Sequence, residues 1–333
     1  MPQSSAMPPS LHAVADDPET PEALRRHPRL LDLVERARAQ TERSPATLAL
    51  VHPCDALALQ AAHTIGSERI ARPLLVGNVQ LIEQAAAQAQ VDCGDFEIVD
   101  TPAEPAAAAH RAVELAREGR AHALMKGSLH SDVLLSAVVD HEHGLAGSTR
   151  ISHCFVFDLP CYHKLLALAD CVVNIAPDGH TKADILSNAL DMLRRLGVAR
   201  PKAAVLAAVE TVNPAIPATV DGRELALLAA RGRFGEALVE GPLGFDDAFS
   251  LQAARIKHIA TQAAGDFDLL LAPDLNSGNM LYKSFVYVGG GECAGIVLGA
   301  RVPVVLTSRA DSLSARLASV ALAVLASRAK QPA

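Results

Sequence analysis

The chain has no tryptophan, and its eight Phe and three Tyr bring the aromatic share to only 3%. A core of stacked rings is excluded. Ala, Leu, Val and Ile must fill it, which suits layered α/β packing. Charge is also sparse at 20% of residues, while 50% are apolar and the formal net charge is −7. Global disorder is thereby excluded, since it needs low apolarity and high charge. The negative balance argues against nucleic acid or an acidic membrane as partner. An anionic substrate must be held by a few local cations, not by the field of the whole molecule. No apolar run reaches the roughly 18–20 residues that span a bilayer. The six cysteines, Cys54, Cys93, Cys154, Cys161, Cys171 and Cys293, include no CxxC pair. Reduced, packed thiols in a cytoplasmic protein are expected. Met1 to Pro21 lacks the basic flank and apolar stretch of a secretory signal and reads as a loose tail over residues 1–20. No GxGxxG, P-loop, HExxH or GxSxG pattern occurs, which withholds support from the common dinucleotide, zinc-protease and serine-hydrolase sites. His141-Glu142-His143 places its rings two residues apart, on different sides of a helix, so no metal is expected.

At about 100–200 residues per domain, 333 residues give roughly two domains. Short apolar runs alternate with helix-periodic segments throughout. The runs are Leu48–Val51, Leu74–Gly77, Phe96–Val99, Ala123–Met125, Phe155–Phe157, Val172–Ile175, Val205–Val209, Leu269–Ala272 and Val304–Leu306. Near-continuous apolar strands separated by helices predict parallel sheets covered on both faces. So many strands predict two sheets, with a break near Thr149–Ser152. Whether the last strand and helix, from Arg301 on, return to the first domain stays open. Ligands of such sheets gather at the carboxyl ends of strands, beside helix N-termini.

Four such tails carry chemistry. Thr307-Ser308-Arg309, at the end of an apolar strand, brings backbone N–H groups, a hydroxyl and a guanidinium to one spot, an anion pocket. The same pattern fits a capped helix with a surface Arg. In Asp274 to Lys283, Asn279 and Lys283 stand one helical turn apart and can hold a phosphate and a carbonyl, or form a solvated stripe. Val288 to Gly299 reads as a tight, ligand-facing glycine loop, with Gly290 and Gly291 at its centre. Lys126 and His130 follow a fourth strand and can meet an anion, although His130 fits a half-exposed polar residue better.

These segments together resemble the phosphate acetyltransferase/phosphate butyryltransferase family. The resemblance runs through Arg150 to Pro160, Asn174 to Asp178, Ala207 to Pro214, Gly241 to Asp246, Asp274 to Lys283, the glycine loop and Thr307 to Asp311, covering roughly residues 45–328. It is nearest to the acyltransferase part of bifunctional enoyl-CoA hydratase/phosphate acetyltransferases; the ~45 residues before it are too few for a hydratase. The resemblance implies two α/β/α domains with mainly parallel sheets, isocitrate/isopropylmalate dehydrogenase-like, with the active site in the interdomain cleft. Residues 21–150 plus 300–333 form the first domain and 151–299 the second. It implies a cytoplasmic homodimer that interconverts acyl-CoA plus phosphate with acyl phosphate plus CoA, acetyl or butyryl, by direct thiolate attack in a ternary complex. Coenzyme A is then a substrate, and no cofactor is needed. By resemblance Arg309 holds phosphate and Ser308 the acyl carbonyl or a phosphate oxygen. Thr307, Lys126, Gly278, Asn279, Lys283, Gly290 and Gly291 contact CoA or phosphate. Acetyl-specialised members carry a carboxylate, taken as thiol base, seven positions after that Ser; here the place is Ala315. Asp311 is the nearest carboxylate and the candidate base. Two other readings remain: a non-catalytic protein that binds CoA or acyl phosphate, and an NAD-dependent decarboxylating dehydrogenase on the related fold.

Overall fold

The computed structural model describes residues 24–307 and 311–327. Among these described residues, eleven strands and eleven helices follow in chain order. They begin α1 Pro28–Arg43, β1 Thr47–Val51, α2 Ala56–Ser67, β2 Arg72–Gly77, α3 Val79–Ala89, β3 Glu97–Asp100, α4 Pro105–Arg117, β4 Ala123–Lys126 and α5 Ser131–Val139. Next come β5 Ser152–Asp158, β6 Leu166–Ala169, α6 Gly179–Arg195, β7 Lys202–Leu206, α7 Pro217–Ala230, β8 Leu238–Leu243, α8 Phe245–Phe249, α9 Leu251–Ile256 and β9 Leu269–Leu271. The chain closes with α10 Leu275–Tyr287, β10 Glu292–Leu298, β11 Val304–Val305 and α11 Leu313–Ala326.

The strands form one sheet in the order β3-β2-β1-β4-β11-β10-β5-β6-β9-β7-β8. Two separate sheets are expected from the sequence; the structure joins the halves through β10 and β6, which periodicity does not reveal, on either side of the expected β5. Pairing is antiparallel at β11–β10, β10–β5 and β5–β6 and parallel elsewhere. Three reversals make β6, β9, β7 and β8 run opposite to β1–β4 and β11. The carboxyl ends of the two halves therefore point to opposite edges. β11, late in the chain, lies against β4, with Val304 opposite Leu124 and Val305 opposite Met125.

Two expectations need correction. Val172–Ile175 is not a strand. The buried Asp170 carboxylate accepts the N–H groups of Val172, Val173 and Asn174 at 2.8, 3.0 and 3.2 Å and the Asn174 amide at 2.6 Å. Successive N–H groups converging on one carboxylate cannot also alternate into a ladder. Conversely, most of the expected glycine loop is β10, a central strand whose seven residues all pair with β5, from Glu292↔Asp158 to Leu298↔Ser152. Gly295 replaces a side chain there because a Cβ would stand 2.6 Å from the Phe155 ring.

The core explains where the site lies. On one face of the sheet a continuous apolar cluster runs under α1, α2, α3, α6 and α11. On the other face the core is split. One cluster, with Leu124, Val297 and Val304, lies under α4 and α5; a second, with Phe157, Phe285 and Cys293, lies under α8 and α10. Between them, β5 and β10 present His153, Phe155 and Gly295 to that face. Cys154 and Val156, one residue out of phase, belong to the continuous side.

Candidate active site

Lys126 ends β4, and Thr307 follows two residues after β11. Because these strands are parallel neighbours, both reach the same carboxyl edge. The chain then turns sharply at Gly127, whose N–H donates to the Val51 carbonyl at 2.9 Å. A Cβ at Gly127 would lie 2.6 Å from the carbonyl oxygens of Val51 and His52, so only glycine fits the crossing. The Lys126 Nζ donates to the Leu129 carbonyl at 3.2 Å. Thr307 is buried, and with Lys126, Gly127, Asp55 and Arg316 it lines a crevice between β4, α2 and α11.

Asp311 stands on the far flank of the same connection. Ser312 caps α11: its hydroxyl accepts from the Ala315 N–H at 2.9 Å and donates to Glu292 Oε2 at 2.8 Å. The connection is thus tied to the first residue of β10. Asp311 also acts on Tyr282 and Cys293. Burial pushes both groups above their ordinary values, and the nearby carboxylates, Asp311 among them, add to the rise. Lys126 and Thr307 therefore reach one edge, with Asp311 on the connection that follows Thr307. Ser308 and Arg309, between the last two, lie outside the described residues, as does the expected tail over residues 1–20.

The second group sits on α10, which Asp274 starts with a capping box: its carboxylate accepts from the Ser277 N–H at 2.9 Å, and the Ser277 hydroxyl lies 3.3 Å from the Asp274 N–H. Gly278 is buried against the chain before it; a Cβ would lie 2.4 Å from the Asp170 carbonyl oxygen. Asn279 spends its amide on the Cys171 carbonyl at 3.3 Å. Lys283, one turn on, is exposed and makes no ion pair among the described residues. Gly290 takes φ +66° in the turn that leaves α10. Gly291 is packed, since a Cβ there would lie 2.5 Å from Leu159. Tyr282 links this helix to the strand-end group. Its ring stacks on Phe155 at 4.2 Å, and it feels the charge of Asp311 and Glu292. His130 stands exposed before α5 and makes no side-chain capping bond.

Two features escape the sequence reading. Arg316 is a cation only 5% exposed on an otherwise uncharged helix, α11. Burial pushes its guanidinium below its ordinary value, while Asp311 and Asp55 act the other way. That single charge in an Ala/Leu stripe was the available signal. His153, 1% exposed, has no hydrogen-bond partner on its Nδ1 among the described residues; burial lowers it to about 4, so the imidazole is neutral. A lone His in an apolar strand offers no comparable signal.

Elsewhere, Glu210, Asp246 and Asp247 are the one carboxylate trio among the described residues close enough to share an ion. The Lys257 ammonium already stands among them, 2.6, 2.9 and 3.1 Å from one oxygen of each. A cavity of about 490 Å³ lies at the opposite end of β10 beside Leu298, Gly299 and Arg301, away from the strand-end group.

The sequence matches the family described as phosphate acetyl/butaryl transferase over residues 105–324. It is 45% identical to the phosphate acetyltransferase of Rhizobium meliloti, over 88% of this chain and 92% of that one. It is 37% identical to the phosphate butyryltransferase of Clostridium acetobutylicum, over 80% and 88%. Among solved structures, the branched-chain phosphotransacylase of Enterococcus faecalis superposes with a TM-score of 0.74 at 31% identity, covering 84% of this chain and 98% of that one. A 4-hydroxythreonine-4-phosphate dehydrogenase of Klebsiella pneumoniae shares the fold alone, with a TM-score of 0.55 at 17% identity over 85% and 100%. On these matches, the chain belongs to the phosphate acetyl/butyryltransferase family of transferases.

Proposed function

We propose that the chain moves a short acyl group, acetyl or butyryl, reversibly between CoA and inorganic phosphate, in a ternary complex and without a covalent enzyme intermediate. In one direction the CoA thiolate attacks the carbonyl carbon of acyl phosphate. A C–S bond forms, the C–O bond to phosphate breaks, and phosphate leaves with that electron pair. A thiol has an ordinary pKa of about 8.5, so a nearby base must take its proton near neutrality. Asp311 is assigned that role. Its place on the strand-end connection supports this, as does buried Ala315, which offers a methyl where acetyl-specialised members offer a carboxylate. Arg309 holds the phosphate, with Lys126 and Thr307 beside it, and Ser308 donates to the carbonyl oxygen as it gains charge. Lys283, Asn279, Gly278, Gly290 and Gly291 border the path of CoA along α10. CoA is a substrate in this scheme, and neither metal nor cofactor takes part. The enzyme is read as a cytoplasmic homodimer with domains over 21–150 plus 300–333 and over 151–299. The pairing of β11 with β4 supports that division.

One observation carries the reading: Lys126 and Thr307 line one crevice at a single carboxyl edge, with Asp311 on the adjoining connection, in a chain of this family. The test is release of CoA thiol from acetyl-, propionyl- and butyryl-CoA with and without phosphate, with acyl phosphate trapped by hydroxylamine. Phosphate-dependent release with stoichiometric acyl phosphate is expected. Arg309→Ala should reduce it by about two to three orders of magnitude, the usual loss for one transition-state donor. Binding of CoA without any turnover would reject the reading and leave a non-catalytic binder. NAD reduction with a hydroxy acid and magnesium would point to a dehydrogenase.

A further inference from the structure

Among the described residues the chain crosses between the two halves of the sheet twice. It leaves between α5 and β5 and returns between β10 and β11. The cavity of about 490 Å³ lies where these crossings meet, bounded by residues 146–149 of the first, residues 298–301 of the second and the 188–195 stretch of α6. Its walls are tied together. Ala146 bridges Ala300, and the Arg301 N–H donates to the Leu145 carbonyl at 2.9 Å. The Asn188 amide donates to the Arg150 carbonyl and to Ser152 Oγ, both at 2.9 Å, and its oxygen accepts from Thr149 Oγ1 at 2.7 Å. A Cβ at Gly147 would strike the Gly299 carbonyl oxygen, and Gly299 takes φ +87°, so the crossing itself demands both glycines.

Two guanidiniums line this rigid cavity, Arg195 from α6 and Arg301 from the return crossing. Both are exposed, and neither side chain makes a hydrogen bond or ion pair among the described residues. The carboxylate on the same wall, Asp191, is engaged by Arg194 at 2.8 Å. Two cations therefore share one concave wall with no anion of the chain bound to either. A planar guanidinium offers paired donors that match a carboxylate or phosphate, so the missing partner is of that kind. The volume falls within the roughly 300–1,000 Å³ of small-molecule sites. With a formal net charge of −7 the molecule as a whole repels anions, so one is held only where cations are gathered locally. This place is distinct from the strand-end group, which lies at the other end of β10.

We propose that this cavity is a second ligand site, taking a small polyanion whose phosphate or carboxylate groups are gripped by Arg195 and Arg301. The inference does not depend on the acyltransferase reading. Its test is calorimetric titration of pyrophosphate, and separately of citrate, into the full chain. Salt is held at about 0.15 M, where attraction beyond about 8 Å is screened and a merely basic surface does not register. The natural protein is compared with Arg195→Gln, Arg301→Gln and the double variant, and thermal melts confirm that each is folded. The natural protein should bind at least one probe at a site that each single substitution weakens about tenfold or more, the worth of one charge-assisted contact. The double variant should lose that site. Pyrophosphate alone behaving so identifies phosphates as the groups held, citrate alone identifies carboxylates, and both together a general polyanion site. Affinity for CoA should stay within about twofold in all three variants, well below that tenfold. Identical isotherms for the natural protein and a folded double variant overturn the inference, as does failure of the natural protein to bind either probe. An equal loss of CoA affinity in folded variants also overturns it, because the cavity would then be part of the site already proposed. If the natural protein does not bind CoA at all, the acyltransferase reading fails while the two probes still decide this one.

Discussion

Lys283 and Arg316 are opposite cases of one problem, a cation whose value depends on what it faces. Lys283 is exposed on α10 and makes no ion pair among the described residues, so nothing in the fold relies on it. Lys283→Ala should change stability by less than about 0.5 kcal/mol, as exposed substitutions do. If the side chain meets CoA, the Michaelis constant for CoA should rise about tenfold, the value of one charge-assisted contact. Turnover should be preserved. Steady-state kinetics with CoA varied at saturating acyl phosphate decides it, and an unchanged constant returns Lys283 to the solvated stripe. Lys126 and Thr307 are legible in the sequence because each follows an apolar run that has to end at a sheet edge, whereas Asp311 is singled out only by the family resemblance. Arg316 shows in the sequence only as the one charge in the apolar stripe of α11, and its burial is decided when the helix is docked. The reading of Asn279 as a ligand group meets a similar difficulty: its amide serves the Cys171 carbonyl, a partner distant in sequence.

Among the elements, α10 and β10 show how glycines mislead. Glycine clusters suggest close approach to a ligand, yet here the first approach is to the chain itself. Gly278 lets α10 lie on the Asp170–Cys171 backbone; a methyl would stand 2.4 Å from the Asp170 carbonyl oxygen and 3.2 Å from the Cys171 Cα. Both are backbone atoms, fixed by the Asp170 carboxylate and the turn it organises, so the helix must move instead. Gly278→Ala should therefore cost about 1–3 kcal/mol, the usual range for overpacking. The loss should be visible as a lower urea midpoint in ligand-free protein. A purely ligand-facing glycine would leave that midpoint alone and weaken only CoA binding. The same reasoning explains β10. Glu292 to Leu298 contains Gly295 and small residues, which lower strand propensity, and its pairing with β5 is set by non-local contacts. Apolar Val172–Ile175 fails as a strand for the converse reason, because a neighbouring carboxylate captures its N–H groups.

For the molecule as a whole, the alternation of strand and helix is legible and the direction of each half is not. Whether β11 lies beside β4 or at a distant edge depends on a crossover spanning most of the chain, which no local pattern encodes. The charge networks that tie distant segments are equally hidden, and they set how the fold responds to acid. Asp266 lies between Lys164 and Lys202, whose hydrogen bonds hold its carboxyl well below the usual carboxylate range. Glu210 is lowered to about 2 by hydrogen bonds from Asp247 and then Lys257. Asp247 moves the other way, raised by burial and then by its contact with Glu210. Groups with depressed folded values stabilise the fold fully above their unfolded values, about 3.9 for Asp and 4.3 for Glu, and lose that contribution as pH falls through the folded value. Asp247 has the opposite sign and offsets part of it. The melting temperature should therefore be level above about pH 5 and fall steadily as pH drops from about 4.5 towards 2. Glu210→Gln removes one of the depressed carboxylates while keeping its shape, so its acid decline should be shallower than that of the natural protein. Parallel melting curves for the two across that window would show that the Glu210–Asp247–Lys257 network contributes nothing to acid stability, whatever its geometry.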